Sequence, residues 1–498
     1  MTIGKDLTPK LQKLVLRVED DLRTRLDEDA ELKARWQSEH TEALRAERTS
    51  SAWVSWRDDR ITQAAVGWVL TTVFLRFCED NALLSKVWIS GPGARRQEAF
   101  DAENAYFRAH PEDTWREWIM EGIAHLRSFP ATVALVEEHA ALWQVSPSGA
   151  MAKEILDFWR ATDEAGVPLY DFQDSGLSTR FLGDLYQDLS EYAKKTFALL
   201  QTPEFVEEFI LDQTLTPALA ERPLEGFKLI DPTCGSGHFL LGGFQRLLDE
   251  WSAKAPNMET RERVQKALNA IHGVDLNPFA VAIARFRLTI AALQATGELD
   301  LERAPDFSFH LAAGDSLLYG RADRPFEQEG FDLDAQMSGF AYSLEDRELL
   351  ETILAENQYD VVVGNPPYIT VKDTTLNERY RQLYKTCKGK YALSVPFMER
   401  FFLLAKFGSD KQIAGWTGQI TSNSFMKREF GTKVIEEYLI RQDLRLIVDT
   451  SGAYIPGHGT PTVILVGKHQ RPVQQSIRAV LGVRGEPSQP KDPANGSV

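Results

Sequence analysis

The sequence predicts an α/β protein, a mostly parallel twisted sheet covered by helices and preceded by an α-helical N-terminal domain. Three observations predict it. From Leu7 to about Asp188 apolar residues recur at helical spacing. After Phe181 short apolar runs alternate with longer helical patterns, the order of parallel strands joined by crossover helices. Each run ends in a polar or glycine-bearing segment, where such sheets bind ligands at the carboxyl ends of their strands. The expected domains are residues 1–180, helical, and 181–475, α/β, with an acidic insertion at about 321–358. Residues 476–498 are Pro/Gly/Ser-rich and read as a linker.

In the helical part, Glu19 to Arg48 is laced with charge, and Ile61 to Leu84 is apolar and periodic. Trp53, Trp56, Trp68, Phe74 and Phe77 read as its core. Strands are expected at Lys228 to Ile230, at Ile271 to Val274, before Ala313, and at Tyr359 to Val363. Further strands are expected at Gln412 to Thr421, Leu444 to Asp449 and Thr460 to Val466, and Ser343 to Glu356 is helix-like.

With 498 residues, 43% hydrophobic and 26% charged, the chain has room for two or three domains with sizeable cores. A formal charge of -16 argues against coating nucleic acid through bulk electrostatics, so any such contact is a local basic surface. Cys78, Cys234 and Cys387 lie far apart without histidines at ligand spacing, which disfavours a disulfide framework or a metal site and points to a reducing cytoplasm. The N-terminus lacks the apolar core of a signal peptide, and Val66 to Phe77 reads as too short to span a bilayer.

Asp231-Pro-Thr-Cys-Gly-Ser-Gly237 is a strand, a glycine turn and a helix start, in which Gly235 and Gly237 allow backbone to approach a ligand. A plain strand-to-helix turn fits the same residues. Asp275 can accept both hydroxyls of a ribose or cap the helix beginning at Pro278. Asp315, in Ala313-Gly314-Asp315-Ser316, can accept an exocyclic amine or cap its own turn. The sharpest signal is Asn365-Pro366-Pro367-Tyr368. The lone pair of an adenine N6 is delocalised into the ring. The Asn365 side-chain oxygen and the Pro366 carbonyl can accept both N6 protons and draw the nitrogen towards sp³ geometry on a loop stiffened by two prolines. Tyr368 offers a face for an unstacked base.

In this order, Asp231 to Leu240, Asp275, Gly314-Asp315 and Asn365 to Tyr368 resemble the S-adenosylmethionine-dependent adenine-N6 DNA methyltransferases of the gamma arrangement. The resemblance covers about Phe181 to Val466 and implies a Rossmann-like methyltransferase fold. It implies S-adenosylmethionine as cofactor, its methionine end at Asp231 and the Gly235/Gly237 loop, its ribose at Asp275 and its adenine at Asp315. Thr233, Cys234, Leu276, Ser316 and Asn365 would complete the contacts, with Thr202 and Pro203 ahead of the glycine loop as helix N-cap and first helical residue. Asn365, Pro366, Pro367 and Tyr368 would be the catalytic group, and Tyr454 would sandwich the base with Tyr368. His458 reads as a turn residue. Phe74 to Asn81 and Pro456-Gly-His-Gly-Thr-Pro461 narrow the resemblance to methyltransferases of phage growth limitation and bacteriophage exclusion (BREX) systems. Residues 476–498 would then lead towards a C-terminal target-recognition region.

The stretch from Val371 to Tyr391 supports a nucleic-acid substrate from its own residues. Lys372, Arg379, Arg381, Lys385, Lys388 and Lys390 are interleaved with Tyr380, Tyr384 and Tyr391, a composition suited to a phosphate backbone. A solvated helix face is the alternative. The expected function is site-specific methylation of adenine N6 in double-stranded DNA by a cytoplasmic enzyme of a phage-defence system, with other defence proteins as partners and neither a metal nor a membrane involved. The rival readings are a methyltransferase for protein glutamine or RNA and a non-catalytic cofactor-binding recognition subunit.

Overall fold

The computed structural model describes residues 7–133, 136, 138, 140–174, 176–177, 179–189, 202–321, 345–452 and 460–481. The chain divides into a first unit, Met1–Thr41, Ser51–Ala193 and Arg285–Phe307, and a second, Glu42–Ser50, Lys194–Ala284 and Ser308–Val498. The first unit thus recruits a later stretch of chain, while a short early stretch counts with the second.

The first unit contains α1 (Leu7–Glu28), α2 (Ala30–Arg45, up to Thr41), α3 (Trp53–Asp80), α4 (Arg95–Ala109), α5 (Trp115–Arg127), α6 (Pro130–Val133), α7 (Gly149–Arg160) and α8 (Arg180–Leu189). Leu7, Leu11, Leu14, Val18 and Leu22 make the inward stripe of α1. A capping box of Thr114 and Glu117 starts α5. The end of α3 is a buried polar lock. The Glu79 carboxylate accepts the backbone N–H groups of Trp88, Ile89 and Ser90, and Arg76 donates to Asp80 and to the Tyr170 carbonyl. The Phe74–Asn81 signature therefore has a structural account: it fixes the two loops around the end of α3. Two described helices, Trp53–Asp80 and Pro278–Thr296, are long and apolar enough to cross a membrane, with 89% and 72% of their apolar windows buried in the fold. The Val66 to Phe77 stretch lies within the first of these helices.

Among the described residues the second unit is built on eight strands: β1 (Leu229–Asp231), β2 (Ile271–Asp275), β3 (His310–Ala313), β4 (Val361–Gly364), β5 (Trp416–Ser422), β6 (Asp443–Asp449), β7 (Thr462–Lys468) and β8 (Arg478–Leu481). Their spatial order is β3-β2-β1-β4-β5-β7-β6-β8. From β3 to β5 neighbouring strands are parallel, β7 runs antiparallel to β5 and β6, and β8 is parallel to β6. This is the mostly parallel sheet the sequence predicts, and β1 and β4 are wholly buried, which is why they read as unbroken apolar runs. The eighth strand corrects the reading of residues 476–481 as linker. All four of its residues are exposed, so no apolar pattern marked it, and its pairing with β6 makes it a strand.

The helices of this part are α9 (Glu204–Glu221), α10 (His238–Lys254), α11 (Thr260–Ala270), α12 (Pro278–Thr296, counted with the second unit up to Ala284), α13 (Arg347–Ile353), α14 (Thr374–Leu383) and α15 (Ser394–Leu404). A continuous apolar cluster joins Ile230, Val274 and Val362 of the sheet to Leu350, Tyr380, Tyr384, Tyr391, Met398 and Phe401. The expected helix at 343–356 is realised as α13, and of the acidic insertion residues 322–344 lie outside the described residues.

Candidate active site

The strand order turns at β1, with β2 on one side and β4 on the other, so the loops leaving β1 and β4 flank the sheet's switch point. The turn after β1 is fixed by backbone bonds from Cys234 N–H to the Val274 carbonyl (3.0 Å) and from Gly237 N–H to the Cys234 carbonyl (2.8 Å). Gly235 and Gly237 have φ of +51° and +84°, the left-handed region that favours glycine. They serve different purposes. A Cβ on Gly237 would lie 2.9 Å from the Ala284 Cβ of α12, whereas one on Gly235 would meet nothing within 4 Å.

Three aspartates stand at or just beyond the ends of β1, β2 and β3. Asp231 Oδ1 accepts the Thr233 N–H (2.9 Å) and hydroxyl (3.1 Å). Asp275 ties two loops together, with Oδ2 accepting Gly235 N–H and Oδ1 accepting Asn277 N–H, both at 2.9 Å. The cap of α12 falls instead to Asn277, whose side-chain oxygen accepts the Phe279 N–H at 3.0 Å. Beside Asp275, Leu276 is 50% exposed. Burial pushes Asp231 up to about 8, with the nearby Asp275 and Glu207 carboxylates adding to it and the Thr233 bonds opposing. Burial likewise raises Asp275 to about 6 against the pull of the Asn277 and Gly235 N–H groups.

Asp315 is buried, and burial raises its pKa. Its Oδ1 accepts the Leu317 N–H at 2.8 Å and its Oδ2 the Tyr380 hydroxyl at 2.5 Å. Ser316 donates its hydroxyl to the Pro232 carbonyl at 2.6 Å, so the loop after β3 is bonded to the loop after β1. The fully buried Arg400 of α15 donates to the Ser316, Tyr319 and Leu354 carbonyls and holds that loop from behind.

The β4 loop meets the β1 loop at Gly364. A Cβ there would fall 2.5 Å from Asp231 Oδ1 and 2.8 Å from the Thr233 hydroxyl oxygen, so only glycine allows the two loops this close. Asn365 follows, its Nδ2 donating to the Thr202 hydroxyl at 3.3 Å and its Oδ1 accepting the Tyr368 hydroxyl at 2.5 Å. Burial pushes the Tyr368 hydroxyl above the ordinary tyrosine range. Pro366 is buried and Pro367 half-buried. The capping expectation for Thr202 is corrected: Pro203 occupies the N-cap of α9 with no side-chain cap, and the Thr202 hydroxyl is turned to Asn365.

The basic stretch separates into two faces. Tyr380, Tyr384 and Tyr391 are core residues bonded to Asp315, the Leu317 carbonyl and the Asn377 carbonyl, so they form no stacking platform. Arg379 is also buried, bonded to Gln382 and 3.7 Å from Glu47, which removes it from the expected DNA-facing set. Lys372, Arg381, Lys385 and Lys390 are exposed. The Arg381 guanidinium is engaged by Asn377 and the Gly389 carbonyl and lies over the Tyr391 ring, while half-buried Lys388 is 3.8 Å from Glu429. Tyr454 and His458 lie outside the described residues. None of the three cysteines forms a disulfide and all are buried, Cys234 in the glycine turn. Among the described residues no cluster of three His, Cys, Asp or Glu side chains could hold a metal.

Sequence reasoning missed Gly364 and Arg400, and read Tyr380 as part of a nucleic-acid-facing stretch where its hydroxyl instead bonds Asp315. Gly364 immediately precedes the Asn-Pro-Pro-Tyr run and was open to discovery; Tyr380 and Arg400 act through folding partners distant in sequence.

The family model described as Eco57I restriction-modification methylase matches residues 269–455. The adenine-specific methyltransferase PglX of Streptomyces coelicolor is 48% identical over 512 residues, covering 99% of this chain and 42% of that protein. The type II methyltransferase M.PaeR7I of Pseudomonas aeruginosa is 28% identical over 302 residues, 58% of this chain and 45% of its own. The chain therefore spans less than half the length of these curated relatives. In fold it is similar to the protein of a DrdV–DNA complex, with a TM-score of 0.58 and 15% identity over 96% of this chain and 42% of that one. The DNA-bound type IIL restriction-modification enzyme MmeI gives 0.51 and 13% over 96% of this chain and 59% of its own.

Proposed function

Because the chain is related along nearly its whole length to an adenine-specific methyltransferase, we propose that it is the catalytic part of an S-adenosylmethionine-dependent enzyme that methylates adenine N6 in double-stranded DNA, within a phage-defence system of several proteins. The observation that carries this reading is the contact of the two loops at Gly364, which sets the residue before Asn365 against Asp231 and Thr233.

The residues present fit the cofactor. Three carboxylates follow adjacent strands, Gly235 leaves open space where a side chain would stand, and Leu276 offers an exposed apolar surface beside Asp275. Asp231 would hold the positively charged methionine end, Asp275 the ribose hydroxyls and Asp315 the adenine amine. When bound, S-adenosylmethionine supplies an electrophilic methyl group on a sulfonium. The chain's own part is to prepare the nitrogen. Asn365 Oδ1 and the Pro366 carbonyl accept the two N6 protons and so localise the lone pair, in a loop with little freedom to relax. The Thr202 hydroxyl, by accepting from Asn365 Nδ2, turns Oδ1 the other way, towards the Tyr368 side. A flipped adenine would bring its N6–H to Oδ1 beside or in place of the Tyr368 hydroxyl, since an amide oxygen has two lone pairs, and the Tyr368 ring would supply a stacking face. Transfer would exchange the methyl's C–S bond for a C–N bond, with S-adenosylhomocysteine as the leaving group, and the nitrogen would shed one proton to solvent, so no side-chain base is needed.

The test is transfer of labelled methyl from S-adenosylmethionine to unmodified bacterial DNA, RNA and protein. Label is expected in DNA as N6-methyladenine, and Asn365→Ala should lower it about 10²–10³-fold, the scale of a lost preorganised polar contact. Label confined to RNA or protein would overturn the substrate assignment. Cofactor binding without transfer to any fraction would favour a recognition subunit.

A further inference from the structure

Residues 47–50, the turn that leaves α2, are bonded to residues some three hundred positions away, and the reaction above assigns them nothing. The turn itself is held against local preference, since Glu47 is a non-glycine residue with φ of +54°. The Arg48 guanidinium donates to both carboxylate oxygens of Glu345 (2.8 and 3.1 Å) and to the Tyr319 hydroxyl (3.1 Å). Tyr319 closes the triangle by donating to Glu345 at 3.0 Å. The Arg48 and Glu345 side chains are 7% and 5% exposed. The Thr49 hydroxyl and the Ser50 N–H both donate to Asp373 Oδ2, at 2.9 and 2.7 Å, while Asp373 Oδ1 caps α14 by accepting the Leu376 N–H. The Glu47 carboxylate lies 3.7 Å from Arg379, also on α14.

These contacts converge on one group. Tyr319 lies four residues beyond Asp315 on the loop after β3, and α14 delivers the Tyr380 hydroxyl to Asp315 Oδ2. The turn therefore grips both the loop that bears Asp315 and the helix that bonds its carboxylate. A buried arginine–carboxylate pair contributes little net stability, because desolvation offsets most of the attraction. What it does contribute is a fixed geometry, through the planar fork of the guanidinium.

We propose that residues 47–50 form a positioning strap for Asp315, and that through it they set the selectivity of the cofactor site for a 6-amino over a 6-oxo purine. The proposal rests on the assignment of Asp315 to the cofactor's adenine. A carboxylate that accepts from an exocyclic amine repels a carbonyl oxygen at the same place, but only if it is held there. Arg48 and Thr49 are positioning residues, not catalytic ones.

The experiment measures binding of S-adenosylhomocysteine and S-inosylhomocysteine to the full chain by calorimetry, with thermal unfolding followed in parallel. The unaltered chain should prefer the amino form at least about tenfold, the scale of a lost hydrogen bond at a built polar site. Arg48→Met should reduce that preference to about threefold or less, and Arg48→Lys, which keeps the charge without the fork, should restore only part of it. Thr49→Val should lower the preference and Thr49→Ser should retain it. If the unaltered chain binds neither ligand or does not discriminate, the Asp315 assignment fails and the proposal with it. If it discriminates and the Met and Val variants discriminate equally well, the strap is overturned, even where their unfolding temperature drops. Should Arg48→Met not fold, Thr49→Val, which removes a single hydroxyl, decides between the same outcomes.

Discussion

Asp231 carries a proton affinity that gives the chain a pH signature. An aspartate in an unfolded chain titrates near ~3.9, and burial raises this one to about 8. Between those values the folded state keeps a proton that the unfolded state releases, so stability from this group is fully present below about pH 4 and is lost as pH rises through about 8. In the cofactor-free chain the denaturant midpoint should fall between pH 5 and 8.5, and Asp231→Asn, which stays neutral, should flatten part of that fall. Equal slopes in both proteins would show that Asp231 is not protonated in the fold. The residue identities at this site were open to reading because their chemistry is local: Asp231, Asp275 and Asn365 each follow a strand and precede a turn. The bonds were not. Whether Asp275 capped α12 was decided by Asn277, and whether Thr202 capped α9 by the position of Asn365, neither of which spacing alone reveals.

The two glycines of the β1 turn separate stability from binding within one element. Gly237→Ala places a methyl against Ala284 and holds a side chain at φ of +84°. It should cost about 2–4 kcal/mol, combining left-handed strain with overpacking, as measured by chemical denaturation. Gly235→Ala meets no neighbour, so only its backbone strain of about 1–2 kcal/mol should appear in stability. Its methyl enters the open side of the turn, and cofactor affinity should fall more than it does for any equally destabilised variant elsewhere. The same scale shows which elements were legible. Strands β1 and β4 stood out because burial makes them short apolar runs, whereas β8 has no buried residue and is defined only by its neighbour. In α14, Tyr380, Leu383 and Tyr384 recur at i, i+3 and i+4, a helical face that already argued for core packing over DNA stacking. Arg379 beside them gave no such signal, since its ionic neighbour Glu47 is remote in sequence.

For the whole molecule, a net charge of -16 means that attraction to DNA has to be concentrated. Lys372, Lys385 and Lys390 remain exposed after the Asn365–Tyr368 loop, while their basic neighbours Arg379, Arg381 and Lys388 have partners within the protein. Replacing the three lysines by alanine should reduce the slope of log affinity against log salt by about 2–3, at roughly 0.9 per lost phosphate contact, when DNA binding is titrated at several ionic strengths. An unchanged slope would place the backbone contacts elsewhere. The division into helical and α/β parts was readable from periodicity, but the exchange of Glu42–Ser50 and Arg285–Phe307 between units was not, because membership depends on partners remote in sequence. That remoteness makes the birth of the protein an ordered affair. Arg48 and Glu345 are separated by 297 positions, so at a ribosomal rate of roughly 5–20 residues per second the arginine waits about 15–60 s for its carboxylate. During that interval the guanidinium and the Thr49 hydroxyl are solvated by water, and the bonds that fix Asp315 and its loop are complete only after about three-quarters of the chain has emerged. A nascent chain arrested before Asp373 should therefore lack the Thr49 and Ser50 bonds to Asp373 and the Tyr380 bond to Asp315, a stage at which a chaperone or an assembling partner would find the loop after β3 not yet fully held.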